Sequence, residues 1–288
     1  MRLSSLIFQN LLYSLLLLLL LGGCGLISVA YNNADTVVYW YLDDYFDFTS
    51  EQRILYDQKI QHIHAWHRRI ELPKYAALCS EAAQRVETGL DHADLAWLET
   101  ALTARFNALV DYSAADLADL LATIEPAQLD VLDKRLSKSN AKFIRENISG
   151  TVAERDRKRS KETLARIEDW IGALNPDQKT SVLAMLKSMP RMAEHRYAQR
   201  IARQKILREI IATQSMKDKS EAALKHWLIN WESGRTPEHE RIWALWLEQN
   251  RQLILELTAM LTPQQRVHLV NKLRDYAKDF NNLHNQRR

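Results

Sequence analysis

Apolar residues recur every three or four positions along most of the chain. Ile60, Ile63, Trp66 and Ile70 make one stripe, and Leu95, Leu98, Leu102, Phe106 and Leu109 a second. Leu129, Leu132, Leu136 and Phe143 form a third, and Leu183, Leu186 and Met189 a fourth. That spacing follows the 3.6-residue helical turn and predicts amphipathic helices that each bury one face. No convincing strand, which would alternate with period two, interrupts them. Start signals lie between the stripes. Thr49 and Thr262 each stand three residues before a glutamine, Gln52 and Gln265, the spacing of a capping box. Asn175 and Gln178 repeat it with Pro176 at the first helical position, while Glu125 and Gln128 are a weaker copy because Glu caps poorly. Thr236-Pro237 opens a helix after Gly234, Asp91 caps the Leu95 stripe, and a long polar helix runs from about Thr151 to Ile171 with Gly172 beyond it. Pro73 is expected to end or redirect the Ile60 stripe. The four glutamines are separated by 76, 50 and 87 residues. Unequal gaps do not support a solenoid and read as shared helix grammar. The pattern predicts an all-α, multi-helix bundle of about ten helices with short loops. It would occupy residues 31–288, as one domain or as two packed helical subdomains meeting near 149–151.

Composition narrows the classes further. The 288 residues are 47% hydrophobic and 26% charged, with seven glycines and six prolines. Three of the glycines fall in the first 25 residues, so the remainder cannot supply the turns of a many-stranded β fold or a glycine-rich phosphate loop. No Walker A, dinucleotide, GxSxG or CxxC motif is present.

The N-terminus reads as a targeting segment. Arg2 precedes an apolar stretch from Leu11 to Leu21, shorter than a confident membrane span but suited to a signal-peptide core. Leu21-Gly22-Gly23-Cys24 resembles the bacterial lipobox, the alternative being a short helical anchor that ends in a chance cysteine. The resemblance implies a signal peptide over 1–23, fatty acylation of Cys24 and a lipidated tether over 24–30. Gly25 stands where inner-membrane retention usually has Asp, so the expected address is the periplasmic face of the outer membrane, through the lipid. Cys79 is then the one remaining thiol, so no intramolecular disulfide can form. Its helical, alanine-rich setting reads as a small buried hydrophobe, with a reactive thiol as the alternative.

The net charge of +3 hides a division. Residues 81–133 carry eleven acids against two bases, and residues 142–217 carry seventeen bases against nine acids. The runs either face each other, lie on separate solvated faces, or present a basic surface to anionic lipid or an acidic envelope protein. Arg155, Arg157, Lys158, Arg159 and Lys161 are the candidate basic surface. Nucleic acid is set aside by the expected location.

Two segments could carry chemistry. Residues 31–48 are rich in aromatics, with Trp40 among them beside Asp43, Asp44 and Asp47. Paired acids with aromatic platforms serve glycoside hydrolysis, but Asp43 and Asp47 would project from one helical turn, so core packing or bilayer contact competes with a ligand site. In residues 62–73, His64, His67 and Glu71 share one helical face beside Arg68, a geometry open to a metal or to acid–base work. Without an HExxH arrangement the metal signal is weak, and such side chains commonly pair beside a core stripe. Trp227 and Trp231, with Trp243 and Trp246, flank the Gly234 turn and are expected to stack in a hairpin core, or to form an exposed patch for unfolded clients.

Together, the lipobox and residues 31–52, 64–79 and 154–178 resemble an uncharacterised family of bacterial helical lipoproteins. The resemblance implies an all-helical envelope protein and brings no catalytic residue. Leu261-Thr262-Pro263-Gln264-Gln265 also resembles, more distantly, the LTxxQ motif of periplasmic chaperones and stress sensors of the Spy and CpxP type. The expected function is non-catalytic binding, chaperone-like or in envelope assembly, with no cofactor or metal. The rival expectation is a metal-dependent or acid–base enzyme using Asp43, Asp44, His64, His67 and Glu71.

Overall fold

Helix follows helix from Leu26 to Asn285 in the computed structural model, which describes residues 26–213 and 217–286. The expected signal peptide and Cys24 lie outside the described residues. The elements are α1 (Leu26–Asn32), α2 (Ala34–Phe46), α3 (Ser50–Trp66), a π-helical segment (His67–Glu71), α4 (Leu72–Thr88), α5 (His92–Leu121) and α6 (Pro126–Asn147). They continue with α7 (Val152–Ile171), α8 (Pro176–Ser188), α9 (Ala193–Ala212), α10 (Lys217–Ile229), α11 (Pro237–Ala259) and α12 (Pro263–Asn285). No strand occurs among the described residues, and the protein is an all-α bundle with short loops. Residues 26–30, part of the expected tether, are helical and belong to α1.

The boundaries follow the sequence signals closely. Thr49, Thr151, Asn175 and Thr262 each accept from the backbone N–H three residues on, and in each case the residue at that position answers with its own side chain. Asp91 and Asp94 exchange the same pair of bonds at the start of α5. Gly172 ends α7 at φ 81°, a left-handed value that glycine adopts without a Cβ penalty. Pro73 departs from expectation. The helix does not end there but runs from α3 through the π turn into α4. A proline clashes with the carbonyl four residues before it, here Arg69, and the wider π turn that contains Arg69 makes room.

The chain forms two compact units, interleaved along the sequence. Unit one takes residues through Glu71, then Ala104–Glu146 and His195–Arg235; unit two takes Leu72–Thr103, Asn147–Glu194 and Thr236–Arg288. No single cut near 149–151 separates them, because the chain passes from one unit to the other repeatedly. The two tryptophan pairs therefore fall in different units. In unit one Arg203 lies over both the Trp227 and Trp231 rings while donating to the Trp227 and Asn230 carbonyls at the end of α10. In unit two Trp243 and Trp246 touch each other, ring centres 5.2 Å apart.

Each unit is built on two helical hairpins whose turns meet through their capping glutamines. In unit one, Gln52 Nε2 donates to Gln128 Oε1 (2.9 Å), and Gln128 Nε2 returns the bond (2.8 Å). Each amide also donates to a carbonyl across the pair, Gln52 to Thr123 and Gln128 to Phe46. Unit two repeats the arrangement with Gln178 and Gln265, which reach the Met260 and Ala173 carbonyls. All four Oε1 atoms also accept from the backbone N–H of their own cap residue. Every donor and acceptor of these four buried amides is thus engaged. The apolar cores lie beneath the turns: Phe46, Ile124, Leu132 and Leu136 in unit one, and Leu174, Val182, Leu186 and Leu261 in unit two.

Candidate functional site

The π turn gathers a buried polar cluster in unit one. His67, Arg68 and Glu71 are all buried, Glu71 completely. Helix α1 supplies two partners: Tyr31 Oη lies 3.0 Å from His67 Nδ1, and Arg68 donates to Asn32 Oδ1 at 2.7 Å. The Arg68 guanidinium also lies over the Tyr31 ring, and His64 packs on that ring at 4.6 Å between centres. From α5, Arg105 reaches both Glu71 oxygens, at 3.2 and 3.4 Å. The cluster fastens α1 to the π turn.

Burial, with His64 and Arg68 adding to it, pushes the His67 imidazole down to about 4. The ring is neutral at pH 7, and it shares one hydrogen bond through Nδ1 with the Tyr31 hydroxyl. An unfolded histidine takes up its proton near pH 6.5, well before this one does. The stabilisation is therefore complete above pH 6.5 and declines as the pH falls towards 4, by up to roughly 3 kcal/mol. Urea midpoints between pH 7.5 and 4.5 should fall more steeply for the wild type than for His67→Phe. Parallel slopes in the two proteins would remove the assignment to His67.

The aromatic and acidic segment lies at the other end of α2. A shallow groove is lined there by Trp40, Asp43, Asp44, Asp47, Val131 and Arg135. The Asp43 carboxylate accepts from the Phe48 backbone and the Tyr39 hydroxyl, so it holds the turn into α3. Asp44 pairs with Arg135 at 2.8 Å, and Asp47 ends the helix in the left-handed region at φ 51°. Tyr31, where the histidines gather, is on the order of 18 Å of helical rise from Asp43. The two halves of the acid–base constellation, Asp43 and Asp44 on one side and His64, His67 and Glu71 on the other, do not meet. Among the described residues no group of His, Cys, Asp and Glu is placed to hold a metal ion.

The basic run divides in a way the sequence does not announce. Arg157, Lys158 and Lys161 are exposed. Arg159 turns inward and donates to the Leu186 and Pro190 carbonyls (2.5 and 3.3 Å), closing the C-terminal end of α8, and burial lowers its pKa. Arg155 pairs with Glu194. Arg159 is thus drawn to the α8 end, whose orphan carbonyls bind a guanidinium well, while Arg155 is held by a carboxylate. The acidic run is partnered largely from outside the basic run: Asp116 and Asp119 by Lys59, Glu99 by Arg251, Glu87 by Arg274. Arg208 with Asp133 joins the two runs within unit one.

One array escaped the sequence reading. Tyr112 Oη lies 2.7 Å from His62 Nε2, and His62 Nδ1 lies 2.8 Å from Asp116, which Lys59 also holds. Trp66 stacks on Tyr112 at 4.1 Å. Polar residues at helical spacing on α3 (59, 62, 66) and α5 (112, 116, 119) were the available signal. Cys79 is a free, largely enclosed thiol whose burial pushes it up to about 12, which fits the small-hydrophobe reading.

A family of unknown function (DUF6279) matches residues 44–240. The chain belongs to this family. The DUF6279 segment takes in the π turn, the paired turn of unit one and the basic helix α7, but not the α1 partners Tyr31 and Asn32, nor Trp40, Asp43 or Gln265. Its span is narrower at the N-terminal side than the motifs beginning at residue 31. No curated protein and no solved structure matches the chain.

Proposed function

We propose that this DUF6279 protein is a lipid-anchored binding protein of the bacterial envelope, held by Cys24 on the periplasmic face of the outer membrane. Its role in this reading is non-catalytic and lies in assembly close to the membrane. The observation that carries the proposal is the fastening of α1. Only Gly25 stands between Cys24 and the first described helix, and Tyr31 and Asn32 tie that helix to His67 and Arg68. A chaperone that reaches for distant clients is served by a long flexible tether; a helix fixed this near its anchor favours work at the bilayer. The residues an acid–base enzyme would use are engaged otherwise, Glu71 with Arg105 and Asp43 with a helix end. Two acyl chains at Cys24 would make release from the membrane negligible.

The test is a Cys24→Ser variant expressed in the envelope. The wild type should carry an acyl mass at Cys24 and sediment with outer membrane, and the variant should lose both. Crosslinking from exposed positions of the membrane-held protein should then recover envelope proteins. An unmodified Cys24 and a soluble wild type would overturn the proposal.

A further inference from the structure

The face that α1 and α2 turn to solvent has an order along it. Its exposed positions are Val29, Asn33, Val37, Trp40, Asp44 and Asp47, spaced by three or four residues. Asn33 departs from helical geometry at φ −113° and ψ 13°, but bonds from Asn33 to Val29 and from Val37 to Asn33 bridge the junction, so the exposed positions of the two helices follow one another along it. Trp40 is 66% exposed, Val29 60% and Val37 49%. The apolar part lies nearest Cys24 and extends over roughly 16 Å of rise from Val29 to Trp40. Beyond Trp40 the same stripe becomes acidic.

We infer that this stripe rests on the phospholipid surface, with Val29 and Val37 against the acyl boundary and Trp40 among the headgroups. The inference rests on the reading of Cys24 as the anchor, because the apolar area is too small to hold a protein to a bilayer alone and adds the second signal that firm attachment needs. An indole with one edge polar and the rest apolar suits the headgroup layer. Asp47, beyond Asp44 and its Arg135 partner, limits the contact: its carboxylate is repelled by anionic lipid and meets the ammonium of phosphatidylethanolamine without penalty. A partner with a basic surface would have to cover two valines and an indole before reaching these acids. The sequence of side chains along the stripe fits a lipid surface better.

The experiment uses the full acylated chain in vesicles of phosphatidylethanolamine, in a Cys79→Ala background. Nitroxide labels are placed singly by Val37→Cys and Trp40→Cys, with Val267→Cys as an exposed control on α12. Labels at 37 and 40 should show an oxygen-to-nickel-chelate accessibility ratio several-fold above that at 267, and adding anionic lipid should lower it. An acyl mass at Cys24 with all three labels equally open to the aqueous chelate would overturn the inference while leaving the anchor standing. Labels at 37 and 40 shielded from both reagents would assign the face to a protein or a second copy, and overturn it too. Absence of the acyl mass would remove the anchor, and the inference with it.

Discussion

Replacing Glu71 with alanine should lower stability by about 3 kcal/mol or more, the usual cost of leaving one member of a buried ion pair without the other. Glu71 is fully enclosed and its carboxylate sits against the Arg105 guanidinium, so truncation strands a cation that only partial hydration can relieve. For a chain of this size the loss corresponds to a fall in melting temperature on the order of 6–12 °C. Removing both charges with Glu71→Leu and Arg105→Met should return most of it, since a buried ion pair is often no better than apolar packing of similar volume. Circular dichroism melts of the two singles and the double decide the matter. A Glu71→Ala protein that melts within a degree or two of the wild type would mean the pair is not sealed from water.

Gln178→Ala should cost about as much, roughly 3 kcal/mol, because one amide serves three partners. It closes the capping box with Asn175, bonds Gln265, and satisfies the Met260 carbonyl. Gln265→Ala should behave alike. The double variant should lose less than the sum by about 1 kcal/mol or more, the mark of groups that satisfy each other. The same cycle on Gln52 and Gln128 should destabilise unit one by a comparable amount. Hydrogen exchange would show faster opening confined first to the unit whose pair was removed. Strict additivity in either cycle would show that the reciprocal amide bonds contribute little beyond the local caps.

The helices were legible because the signals that make them are local: a stripe of period 3.6, a Thr or Asn cap, a glycine beyond the last turn. Even the four glutamines stood out at the right positions. Their pairing did not, because a capping box uses only the Oε1 of each glutamine, and the Nε2 bonds join residues 76 and 87 positions apart. The same limit hid the two units. A stripe tells which face is buried but not what buries it, so the interleaving of segments left no mark. At the candidate site, the spacing of His64, His67 and Glu71 marks a polar segment, yet the cluster owes its form to a π turn and to Tyr31 and Asn32 on another helix. In the sequence, Arg159 is indistinguishable from its exposed neighbours Arg157, Lys158 and Lys161. Only the location of the α8 end, 27 residues on, makes it a cap. Likewise, nothing in the sequence shows that the chain folds back at Asp47 and needs the Asp43 carboxylate for the turn.

The alternation of segments between the units also bears on how the chain is made. Synthesised from its N-terminus, unit one has its first segment by Glu71 but receives its last only with His195–Arg235, and unit two waits for the region after Thr236. Neither unit can complete as an early, self-sufficient piece while the rest is still emerging, as sequential domains do. Through most of its emergence the chain carries apolar helix faces whose partners have not yet arrived. Premature truncations near residue 190 should therefore yield aggregated or degraded fragments, and folding of the full chain should depend on factors that hold it until the last segments arrive.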